Sequence, residues 1–547
     1  MMEIREASSL EKGLPDREPG GSAPPAEGFE NEVISWQLAF RDPALGRGEP
    51  VGAEAISPLG DRVRLYRVNQ VPVQLAVYAD GGDEDYLSRE PGLYPDLLTR
   101  NRPHSLRVWP DRWEWLWIAC DPAGETTPGT YPVTVRFRSG DGSVLGEHTR
   151  EVTVLPGRLP EQKLIQTRWF HADCLADYYH VTPFSEEHWR ITENFVRCAV
   201  GAGINMLLTP IHTPPLDTRE GGERTTVQLV GIRLEDGKYV FDTRRLQRWI
   251  EMARRCGVEY FEMAHLFTQW GAKHAPKIMA EVNGEERRIF GWETEAAGEA
   301  YGAFLRAYIP AVRAVFREEG LEDRVWWHLS DEPHGADLPA YLAAKAQAEE
   351  ALRGARIMDA LSDYEFYRRG VVAHPVVASD RLDPFLEHGV KELWMYYCCA
   401  QHRGVSNLFI AMPSARNRIL GAQLYRYRMQ GFLHWGYNFY NAMLSDRRID
   451  PYACTDADGA FPAGDPFLVY PGADGEPELS IRYMVAREAM QDLRALEWLE
   501  SLRGRDAAMK WVKDITLTDW PREANALPEL RRNVNREIMS CFGMKAE

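Results

Sequence analysis

Two adjacent carboxylates, Asp331 and Glu332, are the residues of this chain best suited by type and spacing to acid–base chemistry. They follow the largely apolar run Val325–Ser330 and are followed directly by Pro333. Such a run of β-branched and aromatic residues suits the middle of a parallel sheet, and it must stop at the acids because proline cannot donate to a strand ladder. In a barrel of alternating strands and helices, catalytic groups gather at the C-terminal ends of the strands. We therefore interpret Asp331 and Glu332 as the catalytic pair of a sugar-cleaving enzyme.

The same residues also fit a purely structural role. Ser330 and Asp331 ahead of Pro333 resemble a helix start, in which a side-chain oxygen caps free N–H groups and proline takes an early helical position. Asp-Glu pairs are also common in a chain this acidic. The dipeptide alone therefore leaves a capping or solvated-loop role open, and the surrounding pattern has to decide.

Other residues able to bind a sugar follow the remaining predicted strands at the same end of the fold. Sugar hydroxyls need hydrogen-bonding partners, and the sugar ring needs an aromatic surface on which to stack. Each residue taken singly has an ordinary structural explanation, such as a satisfied core histidine or a packed tryptophan, but their common position favours a binding site. The candidate substrate-binding residues are His171, Asp173, His212, Trp270, His274, Tyr396, Tyr397, Trp435 and Asn438.

Residues 160–500 alternate single apolar strands with amphipathic helices, which is typical of an α/β fold of the (β/α)8 TIM-barrel type with insertions. A doubly wound open sheet is the alternative, but no Gly-rich nucleotide-binding turn follows any predicted strand. The eight predicted strands are Leu164–Phe170, Ile204–Thr209, Val258–Ala264, Val325–Ser330, Arg356–Ala360, Pro375–Ala378, Leu393–Tyr397 and Phe432–Tyr437. The predicted helices are Glu186–Val200, Arg244–Cys256, Thr294–Glu319, Leu338–Leu352, Tyr364–Arg369, Arg381–Glu387, Ala415–Met429 and Ser480–Leu499. An additional hairpin, Val227–Phe241, is predicted after the second strand.

The rest of the chain divides into three predicted segments. Residues 1–29 are rich in Pro, Gly and Glu and lack the apolar content that offsets ordering entropy, which predicts a disordered tail. Residues 30–157 show short alternating runs separated by turn signals, which predicts an antiparallel β-sandwich accessory domain. Residues 501–547 are predicted to form a C-terminal helical extension.

Composition argues against several classes of function. A formal charge of −17 and a pI near 5.4 disfavour nucleic acid or an anionic membrane surface as the main partner. No stretch resembles a signal peptide or could span a bilayer, so a cytoplasmic location is expected. The eight cysteines include no C-x-x-C, and no H-E-x-x-H occurs, so neither a metal nor another cofactor is predicted. A zinc site built from His171 and Asp173, or from His212 and His265, is a minor alternative.

Several short segments together form a recognisable pattern. They are Trp169-Phe170-His171-Ala172-Asp173, Ser185–Trp189, Asn205–Pro210, Ser330–His334 and Trp435-Gly436-Tyr437-Asn438, with Asp465, Tyr470-Pro471-Gly472 and Ser480-Ile481-Arg482 further on. Over residues 160–500 this pattern resembles glycoside hydrolase family 123 and its relatives of the domain of unknown function 4091. The resemblance implies a retaining β-N-acetylgalactosaminidase in which the 2-acetamido oxygen of the substrate attacks the anomeric carbon. It further implies that Asp331 orients the acetamido group and that Glu332 is the acid/base.

The implied partner is an oligosaccharide or glycoconjugate substrate, and self-association is left open. A conventional retaining glycosidase needs a second carboxylate about 5 Å from the acid/base. The seventh predicted strand ends in Tyr396-Tyr397-Cys398, and Glu392 stands at its beginning, on the wrong face of a barrel. The adjacent pair that remains suits substrate assistance. The alternatives are a conventional glycosidase acting on an unacetylated glycan and a non-catalytic carbohydrate-binding protein.

Overall fold

The computed structural model describes residues 2–20, 23–102, 104–523 and 525–543. The strands are β1 (Glu3–Ser8), β2 (Ala26–Phe29), β3 (Ile34–Arg41), β4 (Glu49–Ile56), β5 (Val63–Val73), β6 (Gly92–Arg100), β7 (Leu106–Val108), β8 (Glu114–Cys120), β9 (Gly129–Ser139), β10 (Val144–Leu155), β11 (Ile165–Arg168), β12 (Met206–Thr209), β13 (Gly231–Glu235), β14 (Lys238–Asp242), β15 (Tyr260–Met263), β16 (Ile278–Val282), β17 (Glu285–Phe290), β18 (Val325–Trp327), β19 (Arg356–Ala360), β20 (His374–Ala378), β21 (Trp394–Tyr396), β22 (Gly431–His434), β23 (Tyr470–Pro471) and β24 (Pro477–Ser480). The α-helices are α1 (Ala172–Tyr178), α2 (Glu186–Gly201), α3 (Arg244–Cys256), α4 (Glu299–Glu318), α5 (Leu338–Ala348), α6 (Tyr364–Arg368), α7 (Asp383–Glu387), α8 (Ser414–Arg418), α9 (Leu420–Arg426), α10 (Ile481–Arg503), α11 (Arg505–Val512) and α12 (Ala526–Cys541). None of these helices is long and apolar enough to cross a membrane.

Eight parallel strands, β11, β12, β15, β18, β19, β20, β21 and β22, close into a barrel. The last strand returns to the first through four paired positions, from Ile165 opposite Gly431 to Arg168 opposite His434. Each of the eight predicted barrel strands overlaps one of these strands. The fold is therefore a mixed α/β fold with a closed parallel barrel, as the alternation of strands and helices predicted, and the doubly wound sheet is wrong.

Alternate residues of the barrel strands separate two apolar layers, because successive side chains of a strand point to opposite faces. One layer is a cluster that includes Met206, Trp326, Met358, Trp394 and Leu433. Residues between these positions, such as Trp327 on β18, belong to the larger core that also contains residues of the surrounding helices. The fourth barrel strand, β18, leads to Asp331 and Glu332 at its C-terminal end.

Two sheets contain the strands that precede the barrel, and their strands are antiparallel except for the parallel pair β2 and β10. Their orders are β1-β3-β8-β5-β6-β24-β23 and β2-β10-β9-β4-β7. A separate apolar cluster draws on strands of both sheets, for example Trp36 and Leu116 from one and Val135 and Phe137 from the other.

The larger sheet also takes in a strand from the far end of the chain. Leu479 and Ser480 of β24 pair with Leu98 and Leu97 of β6. Directly after β24, the fully buried Arg482 guanidinium donates two hydrogen bonds to Asp96, at 2.9 and 2.8 Å. The sequence boundary near residue 157 is therefore crossed by a strand pairing and by a buried ion pair.

The prediction of a disordered tail at residues 1–29 is wrong, because the described residues of this segment are largely ordered. Glu3–Ser8 pairs with β3 along six positions, and β2 pairs with the end of β10. Ala7 and Leu10 are buried, and the Lys12 ammonium donates to the Ile410 carbonyl at 2.7 Å. The polar composition misled the prediction because a few apolar residues and backbone ladder bonds anchor this segment to a sheet that already exists.

The predicted hairpin Val227–Phe241 is half of a larger insertion. β13 and β14 form it, and β16 and β17 extend it into a four-stranded sheet. The second hairpin turns at Asn283-Gly284, whose φ angles of +55° and +81° belong to the turn that Asn-Gly favours. The Asn283-Gly284 dipeptide could therefore have predicted the second hairpin from the sequence. The predicted helix Ala415–Met429 is also two helices, α8 and α9, which meet at Ile419.

Candidate active site

Asp331 and Glu332 line a cleft at the C-terminal end of the barrel. Three of the predicted binding residues, Trp270, Tyr396 and Trp435, line the same cleft. The complete lining is Trp169, Leu216, Asp217, Gln269, Trp270, Asp331, Glu332, Ala360, Tyr396, Cys398, Cys399, Leu433, Trp435 and Phe461.

Asp331 is a buried carboxyl with a neutral partner. Its side chain is reached by the Gln269 amide, which donates to Oδ2 at 2.6 Å, and its backbone carbonyl accepts from the Trp270 N–H at 3.0 Å. Burial and the adjacent charge of Glu332 raise the pKa of Asp331 to about 8, against the opposing effect of the Gln269 hydrogen bond. One proton is therefore retained by the carboxyl pair at neutral pH.

Glu332 is held by two neighbouring strands. The Tyr396 hydroxyl of β21 donates to Glu332 Oε1 at 2.8 Å, and the Glu332 N–H donates to the Ala360 carbonyl of β19 at 2.9 Å. The φ angle of Glu332 is +45°, in the left-handed region that non-glycine residues rarely adopt. Two other residues of the cleft, Asp217 and Trp270, share this property with φ angles of +41° and +54°. Such strain of about 1–3 kcal/mol per residue is a common feature of functional sites.

The helix-capping role of Ser330 and Asp331 is wrong. The Ser330 hydroxyl donates to the Thr268 carbonyl at 2.8 Å, and the Asp331 carboxyl accepts from Gln269. The next helical turn begins only at Gly335, and Asp337 precedes α5. The acids are therefore presented to the cleft.

Aromatic rings form much of the cleft wall. Trp270 is 44% exposed, which leaves its face available to a ligand. The Trp435 indole N–H donates to Asp465 at 2.8 Å, and the Trp435 ring packs edge-on against Phe461 with centroids 5.3 Å apart. The Trp169 indole N–H donates a hydrogen bond to Glu262 at 2.7 Å, which fixes the position of the ring.

Three other predicted binding residues form a buried cluster beside the cleft. The Arg224 guanidinium donates to Asp173 at 2.7 and 2.8 Å and to His171 Nδ1 at 3.0 Å. The Asn438 side chain makes two hydrogen bonds with the His171 backbone: its Oδ1 accepts from the N–H, and its Nδ2 donates to the carbonyl. Burial and the neighbouring Arg224 charge lower the pKa of His171 to about 3, so this imidazole is neutral. The structure places His171, Asp173 and Asn438, which were predicted to bind substrate, outside the cleft lining. Arg224, from a distant loop, contacts His171 and Asp173, and Asn438 contacts the His171 backbone.

The remaining predicted residues also lie outside the cleft lining. His212 is buried with Nε2 on the His265 carbonyl at 2.9 Å, and burial lowers its pKa to about 4. Tyr397 is buried and packs edge-on against Phe432 at 4.9 Å. His274 packs against Trp292 at 5.8 Å. His212 and Tyr397 are buried in the core, whereas His274 is partly exposed.

Sequence reasoning missed Gln269 and Asp217. Gln269 follows the third barrel strand by six residues and was passed over because an amide carries no charge. Asp217 lies in the long loop after β12, buried, and its Oδ2 accepts from the Leu444 N–H at 2.9 Å. Burial raises the pKa of Asp217 to about 6. The cleft thus contains a third carboxyl, which weakens the sequence argument that no second, separate carboxylate is available.

Across residues 2–20, 23–102, 104–523 and 525–543, no three His, Cys, Asp or Glu side chains cluster in a way that could hold a metal ion. The zinc alternative for His171 and Asp173 is also at odds with the Arg224 guanidinium, which occupies the oxygens of Asp173 and the Nδ1 of His171.

Comparisons with known proteins identify the family of the chain. The model of the glycoside hydrolase 123 catalytic domain matches residues 169–499, more than half of the chain. A family 123 glycoside hydrolase from Clostridium perfringens, described for glycolipid glycan hydrolysis, has a TM-score of 0.71 and 13% identity, over 99% of this chain and 98% of that chain. Similarity to a β-glucuronidase from Parabacteroides merdae is lower, with a TM-score of 0.31 and 10% identity over 83% of this chain and 50% of that chain. No curated protein matches the chain. On the match to its catalytic domain, this chain belongs to glycoside hydrolase family 123 and is a glycosidase.

Proposed function

We propose that the chain releases terminal β-linked N-acetylhexosamine, with N-acetylgalactosamine preferred, by a retaining mechanism assisted by the substrate. The observation that carries the proposal is the pair of adjacent carboxyls, Asp331 and Glu332, which line one cleft with the Gln269 amide on Asp331 and the Tyr396 hydroxyl on Glu332. Such a pair supplies both an acid and an anion at neutral pH, which is what this mechanism needs. The sugar preference comes from the family resemblance, and the glycans of glycolipids are candidate substrates because the Clostridium perfringens relative is described with them.

In the first step, Asp331 accepts the N–H of the 2-acetamido group and thereby increases the negative charge on its carbonyl oxygen. That oxygen attacks the anomeric carbon while Glu332 gives its proton to the leaving oxygen. The product of this step is a bicyclic oxazolinium ion stabilised by the Asp331 carboxylate. In the second step, Glu332 removes a proton from water, which opens the ring with net retention.

The proton has to move within the pair when substrate binds. In the empty cleft Asp331 holds it, because burial and the adjacent Glu332 raise the pKa of Asp331. An acetamido N–H on Asp331 favours the Asp331 carboxylate instead, which leaves the proton on Glu332. Gln269 occupies Oδ2 of Asp331, so Oδ1 is the oxygen free to receive the acetamido group.

The wall of the cleft supports sugar binding in this mechanism. Trp270 and Trp435 offer apolar surface to the C–H face of the ring, and Trp169 closes the bottom.

We further propose that residues 160–500 form the (β/α)8 catalytic domain, that residues 30–157 form a β-sandwich accessory domain, and that residues 501–547 form a C-terminal helical extension.

A second candidate function follows from Asp217. A conventional double displacement would use Asp217 as nucleophile and Glu332 as acid/base, with no need of an acetamido group. Its position in the cleft lining and its burial favour this alternative enough to test it. Both routes retain configuration, so stereochemistry does not separate them.

The test compares aryl β-N-acetylgalactosaminide, aryl β-N-acetylglucosaminide and aryl β-galactoside as substrates. We expect turnover of the acetamido sugars alone and a raised melting temperature with a thiazoline mimic of the oxazolinium ion, because the mimic binds only the native state. Asp217→Asn should retain activity to within about tenfold. Cleavage of the galactoside, together with trapping of a 2-fluorosugar on Asp217, would establish the double displacement instead.

A further inference from the structure

A second charged network lies in the barrel immediately before the catalytic pair. Glu262 of β15 accepts three hydrogen bonds: from the Thr167 hydroxyl at 2.5 Å, from the Trp169 indole at 2.7 Å and from His328 Nε2 at 2.5 Å. On the other side, His328 Nδ1 lies 3.3 Å from Asp359 Oδ1. Glu262, His328 and Asp359 have no exposed surface. One imidazole thus joins two buried carboxylates from β15 and β19, the strands on either side of β18.

Asp359 connects this network to the backbone that carries the acids. Its Oδ1 accepts the backbone N–H groups of Leu329 and Ser330 at 2.8 and 3.3 Å, and its Oδ2 accepts the Tyr341 hydroxyl. Leu329 and Ser330 are the two residues before Asp331. The β18 ladder ends at Trp327, so these side-chain contacts hold the last residues of the strand where regular pairing has stopped.

The charge of the network is concentrated on His328. Burial alone would lower the pKa of His328, but the hydrogen bonds to Asp359 and Glu262 raise it to about 9, which makes the side chain an imidazolium at neutral pH. His265 stacks on it with ring centroids 4.2 Å apart. Burial and the adjacent His328 charge lower the pKa of His265 well below its usual range, so the stacked ring is neutral. The His328 imidazolium therefore faces Glu262, Asp359 and neutral His265. Asp331 follows His328 by three residues in the sequence.

We propose that Glu262, His328 and Asp359 form a positioning network whose imidazolium charge sets the upper pH limit of the glycosidase reaction. The inference rests on the proposed function in one respect, since it takes Asp331 and Glu332 as the reacting pair. His328 touches no substrate in this account and acts through Asp331. A positive charge near the pair favours loss of its shared proton, whereas the Asp359 carboxylate opposes it.

Two substitutions should therefore move the basic limb of kcat/KM in opposite directions. His328→Gln removes the positive charge, so the carboxyl pair keeps its proton to higher pH. The midpoint of the basic limb therefore moves to higher pH by about 0.5–1 unit. Asp359→Asn removes a negative charge but keeps an oxygen for the Leu329 and Ser330 N–H groups and leaves His328 paired with Glu262, so the limb falls, by a smaller amount of up to about 0.5 pH unit. Both variants should lose about ten- to hundredfold in kcat/KM at their optimum, because the acids are less well placed. His388→Gln, an exposed histidine on α7's C-terminal side, is the matched control and should change neither quantity.

The pH profile is measured with whichever aryl glycoside the wild-type enzyme cleaves, so the result does not depend on the acetamido proposal. Failure of the proposed function would appear as no turnover of acetamido sugars by the wild type. Failure of this inference would appear as unshifted limbs, or limbs shifted the same way, in both variants. A loss of activity without opposite shifts would identify a merely structural network.

A second measurement covers the case in which a variant does not fold. In wild-type enzyme labelled with 15N at histidine, both ring nitrogens of one buried histidine should carry protons from about pH 6 to 8. The corresponding downfield N–H signals should persist through that range and should be retained in His388→Gln. A spectrum in which every buried histidine is neutral at pH 7 would overturn the proposal.

Discussion

Two carboxylates at the same end of the barrel, Asp331 and Asp173, have opposite environments. Asp331 has a neutral amide and another carboxyl beside it, and its pKa is raised to about 8 by burial and by Glu332. Asp173 has the Arg224 guanidinium, bound through two hydrogen bonds. The difference shows that position at a strand end does not fix the environment of a carboxylate, because the partner side chain differs. The Arg224 guanidinium brings an opposite charge to Asp173, whereas the Gln269 amide on Asp331 carries none.

The largest expected effect is on Glu332. Glu332→Gln cannot protonate a leaving group, so hydrolysis of an unactivated glycan should fall by about 10²–10⁴-fold. A dinitrophenyl glycoside, which departs without protonation, should lose much less in its first step. The measurement is kcat/KM on both substrates, and an equal loss on the two would contradict the acid role.

Asp331→Asn should lower activity on both substrates alike, by about 10²–10³-fold. The reason is that the acetamido attack is needed for either departure and that an amide cannot stabilise the positive oxazolinium ion. The thiazoline-induced rise in melting temperature should vanish in this variant and persist in the surface control Glu147→Ala. Selective loss on the unactivated substrate would instead assign the acid role to Asp331.

Arg224→Leu should affect stability more than chemistry. It leaves Asp173 buried without its partner, which costs about 3–5 kcal/mol of unfolding free energy. The exposed pair of Arg219 and Asp446 provides the control, because Arg219→Leu should cost less than about 1 kcal/mol. Denaturant unfolding measures both, and kcat of the folded Arg224 variant should stay within about tenfold of wild type. A loss of kcat as large as that of Asp331→Asn would mean that the buried cluster takes part in the reaction.

Trp270→Ala should have a smaller effect, confined to binding. Removal of one exposed stacking surface should raise KM about 3- to 10-fold with little change in kcat or in the melting temperature. Trp435→Ala is the informative comparison, since that ring is packed against Phe461 and its loss should lower stability as well. Unchanged KM in Trp270→Ala would exclude Trp270 from the sugar site.

The smallest effect concerns pH and stability. A carboxyl whose pKa is raised in the folded state binds its proton more tightly there than in the unfolded chain, so it destabilises the fold increasingly as pH rises from about 4 to about 8. Asp331→Asn should therefore gain melting temperature relative to wild type over this range, while Asp173→Asn should lose it at every pH. A thermal scan from pH 5 to 8 tests the sign of each difference.

The sequence predicted the barrel strands well because they depend on local pattern. Val325–Trp327 is apolar and precedes a proline, and the strands that carry Tyr396 and lead to Trp435 could be located in the same way. The buried cluster could not be predicted, because Arg224 lies 51 residues from Asp173 and only the folded loop brings them together. Gln269 was missed for a related reason: its importance lies in the carboxyl that it contacts. The tail was misjudged because its order depends on a sheet built mostly from later residues.

The buried pair of Asp96 and Arg482, with the β24–β6 pairing beside it, bears on how the molecule can come apart. A chain cut near residue 158 would leave the Arg482 guanidinium in the core without its carboxylate and would expose the edge of β24. The N-terminal sheets and the barrel should therefore melt in a single cooperative transition, and the barrel should not survive as an isolated fragment. In the cell, the last quarter of the chain has to be synthesised before the first sheet acquires its final strand, so completion of folding awaits the C-terminal residues.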